Sequence, residues 1–168
     1  MTPIPDAATP LPTGRLEGRV AFADAVRLAL HHAALSGWSQ ILFSDPDFAD
    51  WPLGESAVVD ALQAWAGRGR RLRLLARDFS VLRLQQPRFV RWRVNWGHVI
   101  EAHGLASASD GEVPSAIWTP DWSLERLDLV RCTAVATRQP DRHLALKERL
   151  EQVWAKGRPA FAATTLGL

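Results

Sequence analysis

Residues 88–104, RFVRWRVNWGHVIEAHG, gather arginine, tryptophan and histidine into one short stretch. Arginine offers a planar fork of N–H donors that matches phosphate and carboxylate. Tryptophan offers a stacking face. Histidine can ligate a metal or carry a proton. Read as a helix, the spacing sorts them. Phe89, Trp92, Trp96 and Val99 or Ile100 share an apolar face, while Arg88, Arg91, Asn95 and His98 share a polar one. Arg93 lies off both. The polar face reads in two ways. It is a cradle for a phosphate or carboxylate, with a tryptophan edge for stacking, or a solvated surface whose arginines pair with Asp45, Asp47 or Asp50. His98 and Glu101 would be helix neighbours, but His103 is five positions from His98, and the zinc pattern HExxH needs four. Solvated or hydrogen-bonded histidines are therefore expected, and no metal residue and no cofactor is assigned.

A second candidate is ILFSDPDF, where Ser44, Asp45 and Asp47 follow an apolar run. Paired aspartates after a strand can supply a nucleophile and an acid/base, or hold magnesium. The pattern resembles the opening motif of haloacid dehalogenase-like phosphatases. Phe48 departs from that motif, and no later lysine and paired acidic motif follow in order. An acidic turn capping the next element is the simpler reading. AGRGRRLR lacks GxxxxGK[ST] and leads into a strand, whereas phosphate cradles present amides at a helix start. Its Arg68, Arg70 and Arg71 can still add to a surface patch. Ser44, Ser107 and Ser109 have no Ser-His-Asp context, and GESAV is not the elbow GxSxG. Trp118 and Trp122 flank a Pro-Asp turn, as a partner surface or as one end of the core. Eight tryptophans in 168 residues lead us to expect some at an interface. Cys132 is the only cysteine, which excludes an intramolecular disulfide and a cysteine-rich zinc site. Its apolar run, LDLVRCTAVAT, predicts a buried thiol.

Elements must position these groups. RVAFADAVRLALHHAALSG predicts a helix stopped by Gly37. WSQILFS predicts a short buried strand, and DPDFADWPLG a loop. ESAVVDALQAWAGRG is the clearest helix, with Val58, Val59, Leu62, Trp65 and Ala66 on one face. RRLRLLARD is the next strand. Strand, helix and strand in this order imply a right-handed parallel unit. QQPRFVRWRVNWGHVIEAHG reads as one helix, with Pro87 near its start and Gly97 as a weak point. PSAIW and RLDLVRCTAVAT read as two strands, paired antiparallel, and PDRHLALKERLEQVWAKG as a final helix. RPAFAATTLGL is apolar enough to lie on the body. Residues 1–14, rich in proline, threonine and alanine, read as a flexible leader, and 15–168 as a single domain.

A composition of 47% hydrophobic and 23% charged residues fits a globular chain. No apolar run approaches the roughly 18 residues of a membrane span. The first residues have no apolar signal-peptide core, so a cytoplasmic location is expected. Lys147 and Lys156 are the only lysines among 20 basic residues, yet the net charge is only +2. So small a total argues against a dedicated nucleic-acid binder and leaves a local patch open.

Residues 24–78 carry a family likeness. ADAVRLALHHAALSGWSQILFSD leads to a helix ending AWAGRGRR and a strand LRLLARD, and LKERLEQVWAKGRPAF comes later. Together these pieces, about half the chain, resemble half of a phospholipase D-like domain. That superfamily acts through HxKxxxxD, whose histidine is phosphorylated and whose lysine holds the phosphate. The motif is absent: His143 and Lys147 are four apart on a predicted helix, and neither His98 nor His103 has a lysine two positions on. The resemblance implies an α/β fold, a single domain with a mixed, mostly parallel sheet flanked by helices, and no catalytic residue. The reading it favours is a non-catalytic binding or accessory module that pairs as a homodimer. Its ligand site would lie at the C-terminal strand edge, with Ser44, Asp45, Asp47, Arg77, Arg91 and His98 as candidates. Two alternatives stand beside it. One binds nucleic acid or a phosphate-bearing ligand through the arginine face, and the other is a metal-dependent phosphoryl hydrolase using Asp45 and Asp47.

Overall fold

Alternation along each strand decides what the sheet holds on either side. The structure, a computed structural model, describes residues 9–163. In β2 (Gln40–Ser44), Ile41 and Phe43 face one core and Leu42 faces another. In β3 (Arg71–Ala76), Leu72 and Leu74 join the first core, while Leu75 joins a cluster on the opposite face. A strand covered on both faces reads as a continuous apolar run, which is how both appear in the sequence.

The first face is covered by α1 (Arg19–Ser36), α2 (Ser56–Trp65) and α4 (Pro87–Val94). Phe22, Val26, Leu62, Trp65, Phe89 and Trp92 fill the space beneath them. Gly37 closes α1 in the left-handed region at φ 65°, a conformation that costs glycine least. The second face is covered by α5 (Pro140–Lys156), whose Leu146, Leu150, Val153 and Trp154 meet Leu42, Ala116, Trp118 and Leu75. Arg73, on β3, reaches the same helix through a two-pronged bond to Glu151, with Nη2 2.5 Å and Nη1 2.9 Å from its carboxylate.

The remaining elements are β1 (Gly14–Glu17), α3 (Ser80–Gln85), β4 (Ile100–Gly104), β5 (Ser115–Trp118), β6 (Ser123–Asp128), β7 (Thr133–Thr137) and β8 (Arg158–Pro159). One eight-stranded sheet runs in the order β1-β7-β6-β5-β2-β3-β4-β8. The α/β architecture with a mixed sheet and flanking helices is as expected. The predominance of parallel pairing is not. Only β2–β3 and β3–β4 are parallel; every other neighbouring pair is antiparallel. The physical reason is connection length. Parallel neighbours need a helical crossover, which α2 and the α3–α4 pair supply, whereas β5, β6 and β7 are joined by short turns that reverse the chain.

Three further expectations are corrected. The stretch read as one helix from residue 85 to 104 breaks: α4 ends at Val94, turns follow, and β4 begins at Ile100. Gly97 lies inside that break. RLDLVRCTAVAT is two strands, β6 and β7, separated by a turn in which Cys132 adopts φ 54°. The expected leader is anchored at two points: Leu11 is buried, and the Pro12 carbonyl accepts a hydrogen bond from Trp122 Nε1 at 2.9 Å, while residues 9, 10, 13 and 14 are exposed. Residues 1–8 lie outside the described residues. At the other end, β8 pairs with β4 and Phe161 is buried, so the tail lies on the body through residue 163, as expected. Among the described residues no helix is long and apolar enough to cross a membrane.

Two outcomes follow for stability. Trp122 is fully buried and also ties residue 12 to the sheet, so Trp122→Ala should lower unfolding free energy by about 3–5 kcal/mol in a denaturant titration. Hydrogen bonding from Arg73 holds the Glu151 carboxyl below its ordinary 4.5, and Arg27 does the same for Glu55. A depressed carboxylate contributes stability above its unfolded value and loses it as pH falls through the folded one. The urea midpoint should therefore drop as pH falls below about 4.5, and Arg73→Gln should flatten that drop.

Candidate functional site

The aspartates come first, because the structure gives them a different task. Asp45 follows β2 and is 1% exposed. Its Oδ1 receives Arg126 Nη2 at 2.9 Å, and its Oδ2 receives the backbone amides of Asp47 at 3.2 Å and Phe48 at 2.8 Å. Arg126 Nη1 bonds Asp50 at 2.9 Å, and Nε bonds the Ser115 hydroxyl at 3.1 Å. The Cys132 sulfur lies 3.6 Å from Nη1, and the guanidinium carbon sits 4.5 Å from the Phe22 ring centre. Burial works against the Arg126 charge. The bonds from Cys132, Asp45 and Asp50 outweigh it and hold its pKa above the ordinary value. Three of the roughly four acceptor positions of Asp45 are taken and the carboxylate is buried against Arg126, which leaves no open face for magnesium or a substrate. Asp47 is spent on a local turn, accepting the Ala49 amide at 2.9 Å. The Ser44 hydroxyl is buried and donates to the Pro114 carbonyl at 2.6 Å. Among the described residues no group of three or more His, Cys, Asp or Glu could hold a metal. The reading of Asp45 and Asp47 as a hydrolase pair is thus corrected: they organise a loop around a buried arginine.

The tryptophans are corrected in the same direction. Trp118 and Trp122 are 5% and 0% exposed, and each finds a backbone acceptor, His143 and Pro12 respectively. The structural ground for an interface through them disappears. Of the eight tryptophans only Trp96 is not buried.

The proposed polar face of residues 88–98 does not survive as one surface. Arg88 and Arg91 stand exposed on α4, with Arg88 donating to the Gly54 carbonyl at 2.6 Å. Asn95 caps the helix end, and His98 lies beyond it in the turn before β4. Arg91, Asn95 and His98 make no side-chain hydrogen bond among the described residues.

What the fold does assemble is a cleft at the C-terminal ends of β3 and β4, where two parallel crossovers leave the chain on the same edge. It encloses about 720 Å³, within the range of about 300–1,000 Å³ usual for ligand sites. Arg77, Arg83, Lys156 and Arg158 line it, against Asp78 and Glu112. Phe79 and Phe161 form its inner wall, stacked with ring centres 5.0 Å apart. Arg77 is held by Asp110 at 2.8 Å, and Lys156 lies 3.6 Å from Glu112. Arg83 and Arg158 have no carboxylate partner among the described residues; Arg83 instead lies over Phe161, 4.6 Å from its ring centre. The backbone amide and hydroxyl of Ser80 hold the Asp78 carboxyl below its usual range, and the Ser109 amide and hydroxyl do the same for Glu112. Of the residues expected at this edge, Ser44 and Asp45 lie at the end of β2 but only Arg77 lines the cleft. Arg83, Lys156 and Arg158 were missed, although the basic run Lys156-Gly-Arg158 just after a helix was visible as a signal.

No family model matches the chain, and no curated protein matches it. A solved structure is similar in fold: TrmBL2, described as an archaeal chromatin protein with a novel mode of DNA binding. The TM-score is 0.62 at 16% identity, over 95% of this chain and 58% of that one. At that identity the likeness shows the fold alone, and this chain spans less than two thirds of the other. The phospholipase D-like resemblance is overturned by these findings: the likeness found is to a chromatin protein, and the strand and helix pieces that carried the resemblance are common to α/β folds.

The site's geometry separates structure from function at residue level. Arg126→Ala leaves the Asp45 carboxylate buried without its counter-charge and should cost about 3–5 kcal/mol. Asp47→Asn keeps the loop acceptor and should change stability by less than about 0.5 kcal/mol. Guanidinium denaturation of both variants checks the contrast; equal effects would refute it.

Proposed function

We propose that the chain is a nucleic-acid-binding module that grips phosphates at the basic cleft on the C-terminal edge of β3 and β4. One observation carries this reading: Arg83 and Arg158 line the cleft without a carboxylate partner among the described residues, beside Arg77 and Lys156. Guanidinium groups free of internal ion pairs are the donors that phosphate takes up best. The name of TrmBL2 as a DNA-binding chromatin protein supports the same partner class. Arg88 and Arg91 are exposed on α4, outside the cleft.

The mode of binding follows from burial. Seven tryptophans are inside and Phe79 and Phe161 pack against each other, so the cleft itself offers no open aromatic platform of the kind that stacks on single-stranded bases. Contacts to phosphate position a protein on nucleic acid without reading its sequence. Binding is therefore sequence-independent and governed by counterion release. The small net charge of +2 makes the local arrangement of arginines decisive. A cytoplasmic location belongs to the same proposal.

Fluorescence anisotropy with labelled duplexes tests it. Arg83→Gln and Arg158→Gln should each weaken binding by a similar factor for unrelated sequences, and each should reduce the salt-dependence slope by about 1. Binding that survives both substitutions with its slope intact would sink the proposal.

A further inference from the structure

Arg93 is the least satisfied charge in the described molecule. It lies on α4 and is 6% exposed. Its Nη2 donates to the Phe161 carbonyl at 3.2 Å, while Nε and Nη1 have no hydrogen-bond partner among the described residues. No ion pair involves it there. The charge that acts on it is of the same sign: burial first, then the field of Arg83, hold its pKa below the ordinary arginine value. Both guanidinium groups lie against one ring, with Arg83 4.6 Å and Arg93 5.7 Å from the Phe161 ring centre. Water could accept the orphaned N–H groups, but it could not neutralise two like charges. Buried charges are retained where they are paired, so this arrangement calls for an anion.

The cover over Arg93 is thin. Gly97 is exposed, and a Cβ placed there would lie 3.9 Å from Arg93 Nη1. The orphaned nitrogen itself has no free surface; it lies beneath Gly97, with the Ala163 methyl as near to that position. The other helix arginines behave differently: Arg88 is exposed and already bonded to a backbone carbonyl. Arg93 combines burial, free donors and a second arginine nearby.

We propose that Arg93 and Arg83 form an oxyanion subsite beneath Gly97 that holds one phosphoryl group once that cover is displaced. It deepens the reading of the cleft as a phosphate grip, and rests on it for the source of that group, a nucleic-acid phosphodiester. Arg83 and Phe161 belong to both, which sets the subsite beside the cleft, although Arg93 itself does not line it. The anion completes the bonding of Nε and Nη1 and relieves the repulsion between the two arginines.

The test uses the full chain and inorganic phosphate, titrated against chloride at constant ionic strength. Wild type should gain about 3 °C in melting temperature at phosphate about tenfold above its Kd. Arg93→Met, which fills the same space without charge, should melt no lower than wild type in phosphate-free buffer and show no gain. Gly97→Asp keeps Arg93 and brings a carboxylate to Nη1, so it should melt higher than wild type without phosphate and also lose the gain. An equal phosphate gain in all three proteins, or no gain in wild type beyond the chloride control, would overturn the subsite. A duplex oligonucleotide separates the two proposals. Weakened oligonucleotide binding by Arg93→Met supports both. Oligonucleotide binding that depends on Arg158 but not on Arg93 overturns the subsite and leaves the nucleic-acid reading standing. A phosphate gain that requires Arg93, in a protein that binds no oligonucleotide, supports the subsite with free phosphate as its ligand and overturns the nucleic-acid reading.

Discussion

A guanidinium that must be neutralised away from water sets the geometry of this molecule. Arg126 projects from β6 and is answered by groups from separate parts of the chain: Asp45 after β2, Asp50 in the following loop, Ser115 on β5 and Cys132 before β7. A charge in that position tolerates little slippage, because each displaced partner leaves an uncompensated group behind. Asp45 extends the constraint. Its second oxygen collects the amides of Asp47 and Phe48, and the chain turns with Phe48 at φ 61°. That turn drives Phe48, Trp51 and Leu53 into the core beneath α1. The loop after β2 is acidic in sequence because it wraps a cation.

This explains why the fold was more legible than the site. Helices α1, α2 and α5 and strands β2 and β3 follow from local periodicity, capping glycines and apolar runs, and all of these signals lie within a short window. The break at Gly97 was visible as a weak point, but nothing local decides between one long helix and a helix followed by a strand. The decision is made by pairing of Ile100–Gly104 with β3, a contact that one-dimensional spacing does not contain. The direction of pairing was misjudged for a related reason. A parallel unit at the start was extrapolated to the whole sheet, while the short turns between β5, β6 and β7 reverse the chain there.

Side-chain chemistry was legible only in part. Arg88, Arg91, Asn95 and His98 shared a face on an assumed helix and separate once that helix ends. Arg93, set aside because it fitted neither face, is the one that the fold buries. Asp45 and Asp47 look alike in sequence, yet one pairs with Arg126 and the other closes an exposed turn. The tryptophans show the same limit. Their number suggests display, but each buried ring apart from Trp51 and Trp154 directs its indole N–H to an acceptor within the protein. For Trp154 the solution is stacking, with His103 centred 3.8 Å away. An indole can be interior wherever its single donor is met or its ring is covered.

The pairing of β1 with β7 has a consequence for how the chain reaches this state. Gly14 lies opposite Ala136 and Glu17 opposite Thr133, so β1 has its partner more than a hundred residues downstream. Loop-closure entropy must be met before such a contact is rewarded, which slows folding dominated by distant pairings. On the ribosome, β1 waits unpaired while the parallel strands and their helices assemble. Its brevity and its exposed Arg15 and Glu17 suit that wait, because a short charged edge offers little template for joining a neighbouring chain.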